Sequence, residues 1–202
     1  MADVIIFNID QKQENTIKSK RKLSSPFESF TDQYISEGVK EIVLKWIDSI
    51  KFKDKIIRRE PRVVSALMFE KYNKLLVFSE SESEIQYFCV KIEEKYNVYL
   101  KELNLYQQLY NKFLSSNSNK IKVIALNIKE QFNEENVLNI SDTEDELSFI
   151  LRTNEEHTIS ITFTLGEDKY LTMDKRSVIS IPDNVLEEER LKIYEELFEL
   201  YA

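Results

Sequence analysis

Thr158–Leu165 reads TISITFTL and is the cleanest alternation of apolar and polar residues in the chain. Its apolar residues fall on one face of an extended strand, and its hydroxyl residues fall on the other face. Antiparallel sheets with one face on a core and one face in water have this pattern. The segment therefore predicts an antiparallel sheet in the C-terminal part of the chain.

Short β-rich runs lie on both sides of this segment. We predict further strands over residues 121–128, 137–140, 147–152, 169–173 and 177–181. Pro182 and Asp183 end this meander and start an amphipathic helix, whose apolar face we expect to cover the apolar side of the sheet. The polar stretch SSNSN at 115–119 is typical of a linker, because its short polar side chains favour turns.

The N-terminal part begins with a predicted strand over residues 4–7 and a long polar loop over residues 11–25. Ser25, Pro26 and Glu28 have the spacing of a helix start, in which the serine caps and the glutamate completes a capping box. Apolar residues then recur at three- and four-residue steps, which predicts a helix to about residue 50. A hairpin over residues 63–69 and 74–78 is predicted to follow.

Apolar residues from Ile85 to Phe113 follow a heptad-like spacing, which predicts one long amphipathic helix. The poor helix formers between Tyr96 and Tyr99 leave two alternatives open, a break into two helices or a helix followed by a short strand. The apolar face is rich in tyrosine, which favours packing against a protein surface. An ordinary core helix is the other interpretation.

We therefore expect an α+β fold. A mixed helical N-terminal region with a long amphipathic helix precedes an antiparallel β-meander that is capped by a C-terminal helix. The expected domains are 1–115, which holds the basic clusters and the long helix, and 120–202, which holds the acidic meander and the last helix.

The composition excludes several classes of site. The 202 residues include two glycines, one cysteine and one histidine, too few for a P-loop, a Rossmann phosphate turn, a Cys/His zinc site or an internal disulfide. No apolar run approaches the roughly 20 residues that span a membrane, and the first residues lack a cationic signal head. We expect a cytoplasmic protein with no metal, no cofactor and no membrane contact.

Charge is unevenly distributed along the chain. The net charge is −8, and residues 120–202 carry 9 Lys and Arg against 19 Asp and Glu. We predict that a protein partner binds to the acidic run and to the tyrosines of the long helix, at Asp142, Glu144, Asp145, Glu146, Tyr99, Tyr106 and Tyr110. An alternative is phosphate binding by the N-terminal basic clusters, through Lys20, Arg21, Lys22, Arg58, Arg59 and Arg62.

Two short motifs have the spacing of catalytic sites. Arg152 and His157 match the arginine and histidine spacing of a class of helical ribonucleases, but they lie between two predicted strands. Glu167 and Lys169 match half of a magnesium nuclease site, without an evident partner aspartate. The acidic run 142–146 lacks the glycine and glutamate that an EF-hand needs. We therefore do not expect an enzyme.

The leading hypothesis is a non-enzymatic interaction or regulatory protein, a subunit of a larger assembly. Nucleic-acid binding is the first alternative, and a carboxylate-metal nuclease is the second. Homo-oligomerisation is left open. Abundant Lys, Ile and Asn with few Gly and Pro indicate an AT-rich bacterial or viral genome. From this we extend the hypothesis to a role in phage–host conflict, which no motif supports.

Overall fold

The structure is a computed structural model that describes residues 2–12, 27–52, 55–79, 81–114, 121–129, 135–140, 144–166 and 169–200. For residues 2, 48–52, 55–59 and 144–146 it describes the backbone alone. These residues form eleven β-strands and four α-helices. The chain divides into unit 1, which is Met1–Val4 with Leu103–Ala202, and unit 2, which is Ile5–Glu102.

Unit 2 is mainly an antiparallel sheet. It comprises most of β1 (Ala2–Gln11), then β2 (Glu28–Ser36), β3 (Val39–Phe52), β4 (Lys55–Phe69), β5 (Lys74–Phe78), α1 (Glu82–Tyr96) and β6 (Val98–Glu102). The strand order is β2-β3-β4-β5-β1, and β6 also pairs with β1. Gly38, with φ 72°, lies in the two-residue turn between β2 and β3, where a positive φ favours glycine.

One face of this sheet and the inner face of α1 form a single apolar core. In the described parts of β3 and β4 the buried residues alternate along each strand, as Ile42, Leu44 and Trp46 do in β3 and Val64, Ala66 and Met68 do in β4. Ile85 and Phe88 of α1 pack in the same cluster. The two-residue period of the strands and the three- to four-residue period of the helix thus bury their apolar side chains together.

The predicted helix over residues 25–50 is wrong. Residues 28–36 and 39–52 are the antiparallel strands β2 and β3, while Ser25 and Pro26 lie outside the described residues. Ile42, Val43, Trp46 and Ile47 satisfy a helical spacing, but β-branched and aromatic residues favour strands. Pairing along the whole length of β3 with β4 decides the outcome.

The single long helix over residues 85–113 is also wrong. Asn97 adopts a left-handed conformation with φ 55° and ends α1, and the chain continues as β6. A second helix, α2 (Leu105–Leu114), begins after Asn104. The segment combines the two alternatives, because it breaks into two helices, α1 and α2, and the short strand β6 lies between them.

Unit 1 contains the remaining strands and helices. They are α2, β7 (Ile121–Lys129), β8 (Glu135–Asn139), α3 (Glu144–Asn154), β9 (Thr158–Leu165), β10 (Lys169–Asp174), β11 (Ile179–Ile181) and α4 (Glu187–Glu199). The strand order is β11-β10-β9-β7-β8, and residues 2–4 of β1 pair with β11. Along β9, the side chains of Ile161, Phe163 and Leu165 are buried. On the opposite face, the hydroxyl of Thr162 forms a hydrogen bond with the hydroxyl of Thr172 on β10.

The expected fold class is wrong as a whole. The described residues form a mostly β structure of eleven strands with short helices, and not a helical N-terminal region followed by a meander. Residues 147–152, predicted as a strand, lie in α3. The strands β9, β10 and β11 and the last helix lie where their patterns placed them. The predicted linker 115–119 lies outside the described residues.

A strained serine caps α2, the first helix of unit 1. Ser177 precedes β11 with φ 65° and is buried, and its hydroxyl accepts a hydrogen bond from the Tyr106 amide at 3.0 Å. Asn104 Oδ1 accepts a second one from the Gln107 amide at 3.3 Å. These bonds satisfy two amides that the first turn of a helix leaves without a partner.

We expect Ser177→Ala to lower the free energy of unfolding by about 1–2 kcal/mol, because it leaves the buried Tyr106 amide unpaired. Ser177→Gly loses the same hydroxyl but suits the positive φ, so it should cost about 1 kcal/mol less than the alanine variant. Urea denaturation of the three proteins measures both differences. Equal stability of the wild type and the alanine variant would contradict the capping role.

Candidate functional site

The three tyrosines predicted for partner binding lie in different environments. Tyr99 is on β6 of unit 2 and is 55% exposed. Tyr106 and Tyr110 are buried in α2 of unit 1, where their rings stack and the Tyr110 hydroxyl donates a hydrogen bond to the carbonyl oxygen of Leu151. Burial raises the pKa of Tyr110 to about 12. Of these rings, Tyr99 therefore offers the most surface to a partner.

The acidic and basic sites are described only in part. Asp142 lies outside the described residues, and Glu144, Asp145 and Glu146 are known by the backbone of the first turn of α3. Lys20, Arg21 and Lys22 also lie outside, and Arg58 and Arg59 are known by the β4 backbone. Arg62 is half-buried, and its Nη1 is 3.0 Å from Glu84 Oε1. Both binding hypotheses stay predictions.

Of the two motifs with catalytic spacing, the structure describes both residues only for Arg152 and His157. Arg152 is in the last turn of α3, and His157 follows the end of that helix in a turn, so the two do not share a helix face. Lys169 pairs with Glu196 of α4, while Glu167 lies outside the described residues.

The single cysteine of the chain, Cys89, is not set up as a nucleophile. Burial raises the pKa of its thiol to about 12, which disfavours the reactive thiolate.

A metal site and a membrane-spanning helix are both absent from the described residues. No group of three His, Cys, Asp or Glu side chains among them is placed to hold a metal ion. None of the helices in the described ranges is long and apolar enough to cross a membrane.

The most organised polar surface is in unit 2, where β2 lies beside α1. The alternate β2 residues Glu28, Phe30 and Asp32 contact side chains of α1, and Tyr34, the next in this alternation, bonds to Glu70. We call these four residues and their partners the β2–α1 surface. The partners are Tyr87, Lys91, Lys95 and Tyr96 of α1, Lys40 of β3, and Glu70. It adjoins the apolar core, since Phe30 packs against that core and the Trp46 and Tyr87 rings are 4.9 Å apart.

Glu28 anchors the beginning of β2. Its carboxylate accepts a hydrogen bond from the Tyr87 hydroxyl and another from Lys91 Nζ at 3.1 Å. Burial and the neighbouring carboxylate raise the pKa of Tyr87. Burial opposes the charge on Lys91, but the bond to Glu28 and the interactions with the Glu28 and Tyr87 side chains together outweigh this and raise the pKa of Lys91. These side chains are mostly buried, so the pair ties β2 to α1 with little competition from water.

Asp32 repeats this arrangement one helical turn further along. Its carboxylate accepts a hydrogen bond from the Tyr96 hydroxyl at 2.7 Å and lies 3.5 Å from Lys95 Nζ. The Tyr96 bond, followed by the Lys95 charge, lowers the pKa of Asp32, although partial burial opposes it. Lys95 Nζ also lies 3.4 Å from the centre of the Phe30 ring. Cation, ring and carboxylate therefore hold one another in place.

A third group of interacting side chains, Tyr34, Lys40 and Glu70, lies at the C-terminal end of β2. Glu70 Oε1 accepts a hydrogen bond from the Tyr34 hydroxyl at 2.8 Å and lies 3.4 Å from Lys40 Nζ. The tyrosine bond, followed by the lysine, lowers the pKa of Glu70. Lys40 Nζ lies 4.7 Å from the centre of the Tyr34 ring and 5.6 Å from that of Tyr96. The third group thus joins the second.

Despite these bonds, the end of β2 presents apolar side chains to water. Tyr34 is 60% exposed and Ile35 is 36% exposed. The sequence interpretation missed this surface because it placed residues 25–50 in a helix. The signal was the alternation of acidic and aromatic residues from Glu28 to Tyr34, which has the two-residue period of a strand.

Comparison with known proteins adds no identity. No protein-family model matches the chain, and no curated protein matches it.

Tyr96→Phe removes the hydroxyl that contributes most to the low pKa of Asp32. At pH 7 we expect the free energy of unfolding to fall by about 1 kcal/mol, because the carboxylate is partly exposed. Because the pKa of Asp32 is lower in the folded protein than in the unfolded chain, Asp32 stabilises the fold at pH values above the ordinary aspartate pKa. This stabilisation is lost as the pH falls through the folded-state pKa of Asp32. The difference in free energy of unfolding between the wild type and Tyr96→Phe should therefore become smaller at acidic pH.

Urea denaturation between pH 7 and pH 3 measures this gap. Tyr170→Phe is the control, because Tyr170 is half-exposed and its hydroxyl makes no hydrogen bond with the described residues. A gap that stays constant over this pH range would show that the hydroxyl acts without the Asp32 charge.

Proposed function

We propose that this protein is a non-enzymatic interaction protein, a regulator or subunit of a larger assembly, which binds a protein partner through the β2–α1 surface. The observation that carries this proposal is that Tyr34 and Ile35 expose apolar surface at the end of β2. The side chains around them are held in place by the Lys40–Glu70 and Lys95–Asp32 ion pairs. Aromatic side chains are enriched at protein interfaces, and a rigid surface loses less conformational entropy on binding.

The charges around Tyr34 support a protein partner over a polyanion. Lys40 and Lys95 are the cations nearest to its ring and to Phe30, and each already pairs with a carboxylate. A phosphate would have to compete with Glu70 and Asp32 for them. Burial of the Tyr34 ring against an apolar side chain needs no such exchange.

Affinity purification of the full chain from its native host tests the proposal, with mass spectrometry of the recovered proteins and nucleic acids. We expect the wild type to recover one protein in stoichiometric amount. The Tyr34→Ser/Ile35→Ser variant should recover at least about tenfold less of it, since each substitution removes apolar contacts that are buried when the partner binds. Tyr170→Ser is the matched control, because this tyrosine of unit 1 is 51% exposed.

Two outcomes would contradict the proposal. A partner that the double variant retains would bind elsewhere, for example at the acidic run. RNA or DNA that salt removes, in place of a protein, would favour the basic clusters and the nucleic-acid alternative.

A further inference from the structure

β2 is an edge strand among the described residues. Within the described part of the chain β2 pairs with β3 and with no other strand. The Phe27 carbonyl accepts a hydrogen bond from the Ile47 amide of β3 at 3.0 Å. Because the backbone groups of an antiparallel strand alternate between its two edges, Ser29, Thr31 and Gln33 also face β3. The amides and carbonyls of Glu28, Phe30, Asp32 and Tyr34 therefore face outward.

β2 lacks several of the features that usually protect an edge strand, and its two inward-pointing carboxylates, those of Glu28 and Asp32, are each paired with a lysine. The nine residues of β2 contain no lysine, arginine or proline, and its register shift lies at the end, between Tyr34 and Ser36. Edge strands of folded proteins are commonly blocked by such residues, by bulges or by short length. β8, the edge strand of unit 1, has five residues. β2 thus offers the longer open ladder.

The side chains beside the edge indicate what it would accept. Three carboxylates near β2, those of Glu28, Asp32 and Glu70, are each paired with a lysine. A charged segment would therefore find no unpaired counter-charge among them. The exposed residues of β2 are Ser29, Thr31, Asp32, Gln33, Tyr34, Ile35 and Ser36. Asp32 is the one charged residue among them and is already paired with Lys95, so the strand suits uncharged β-branched and aromatic neighbours.

We infer that β2 binds an uncharged, extended segment of another protein, rich in β-branched and aromatic residues, which adds to the sheet as a further strand. The inference rests on the proposed function and specifies its binding mode. Backbone hydrogen bonds to Glu28, Phe30, Asp32 and Tyr34 supply the ladder, and Tyr34 and Ile35 supply apolar contacts. A second copy of this chain fits less well, because it would bring its own Glu28 and Asp32 to the same edge.

The probe is a set of uncharged twelve-residue peptides selected by phage display on the wild-type full chain. Residue-resolved amide exchange by NMR should show new protection at the Glu28, Phe30, Asp32 and Tyr34 amides. Those of Ser29, Thr31 and Gln33 already bond to β3 and should change little. This alternation is specific to strand addition, because docking through side chains alone would not produce it.

A matched pair of variants isolates the backbone donor. Asp32→Pro and Asp32→Ala both lose the carboxylate, but the proline variant also loses the central outward amide, which an edge strand tolerates. We expect the proline variant to bind the peptides about tenfold more weakly than the alanine variant. Melting curves of both variants check the fold, and the exchange pattern of the wild type needs neither variant.

Several results would overturn the inference. They are failure to select any peptide, protection without alternation, equal affinity of the two variants, and a wild-type homodimer that the proline variant dissociates. A native partner lost from Tyr34→Ser/Ile35→Ser but kept by Asp32→Pro would leave the proposed function standing and remove strand addition. If no native partner depends on the β2–α1 surface, the proposed function itself fails.

Discussion

The antiparallel ladder between β3 and β4 is the interaction on which unit 2 depends. It runs from Val39 paired with Phe69 to Phe52 paired with Lys55, with one register shift near Ile47. A ladder of this length imposes a two-residue period on both strands, so Ile42, Leu44 and Trp46 must share a face. That face gives α1 its packing surface.

The charged residues of unit 2 follow from this packing. β2 adds to the outer edge of β3, and its inward side chains meet the flank of α1 above the apolar core. Each inward carboxylate has both a tyrosine hydroxyl and a lysine beside it, at Glu28 and at Asp32. Partners of both kinds offset the cost of removing a carboxylate from water. These pairs hold the strand on its inward side, and no other strand of the described residues covers its outer edge.

Periodicity alone misled the sequence interpretation in two places. Between residues 85 and 113 the apolar spacing fits one helix, although Asn97 ends α1 and β6 follows. Between residues 25 and 50 the spacing again fits a helix, although the residues pair as β2 and β3. Both segments contain enough apolar residues for either period. In such segments the apolar spacing does not choose between helix and strand, because long-range strand pairing decides and a single sequence does not reveal the pairing partner.

The sequence by itself determined the elements whose local signals agree. TISITFTL forms β9, residues 63–69 and 74–78 form the β4–β5 hairpin, and a helix follows Pro182. The scarcity of Gly, Cys and His also excludes several kinds of site from composition alone. Only the tertiary structure decided that residues 28–36 are an edge strand and that Glu28, Asp32 and Glu70 pair with lysines. The partners in these pairs are far apart in the sequence, 63 positions for Glu28 and Lys91, and such contacts arise only after the strands have paired.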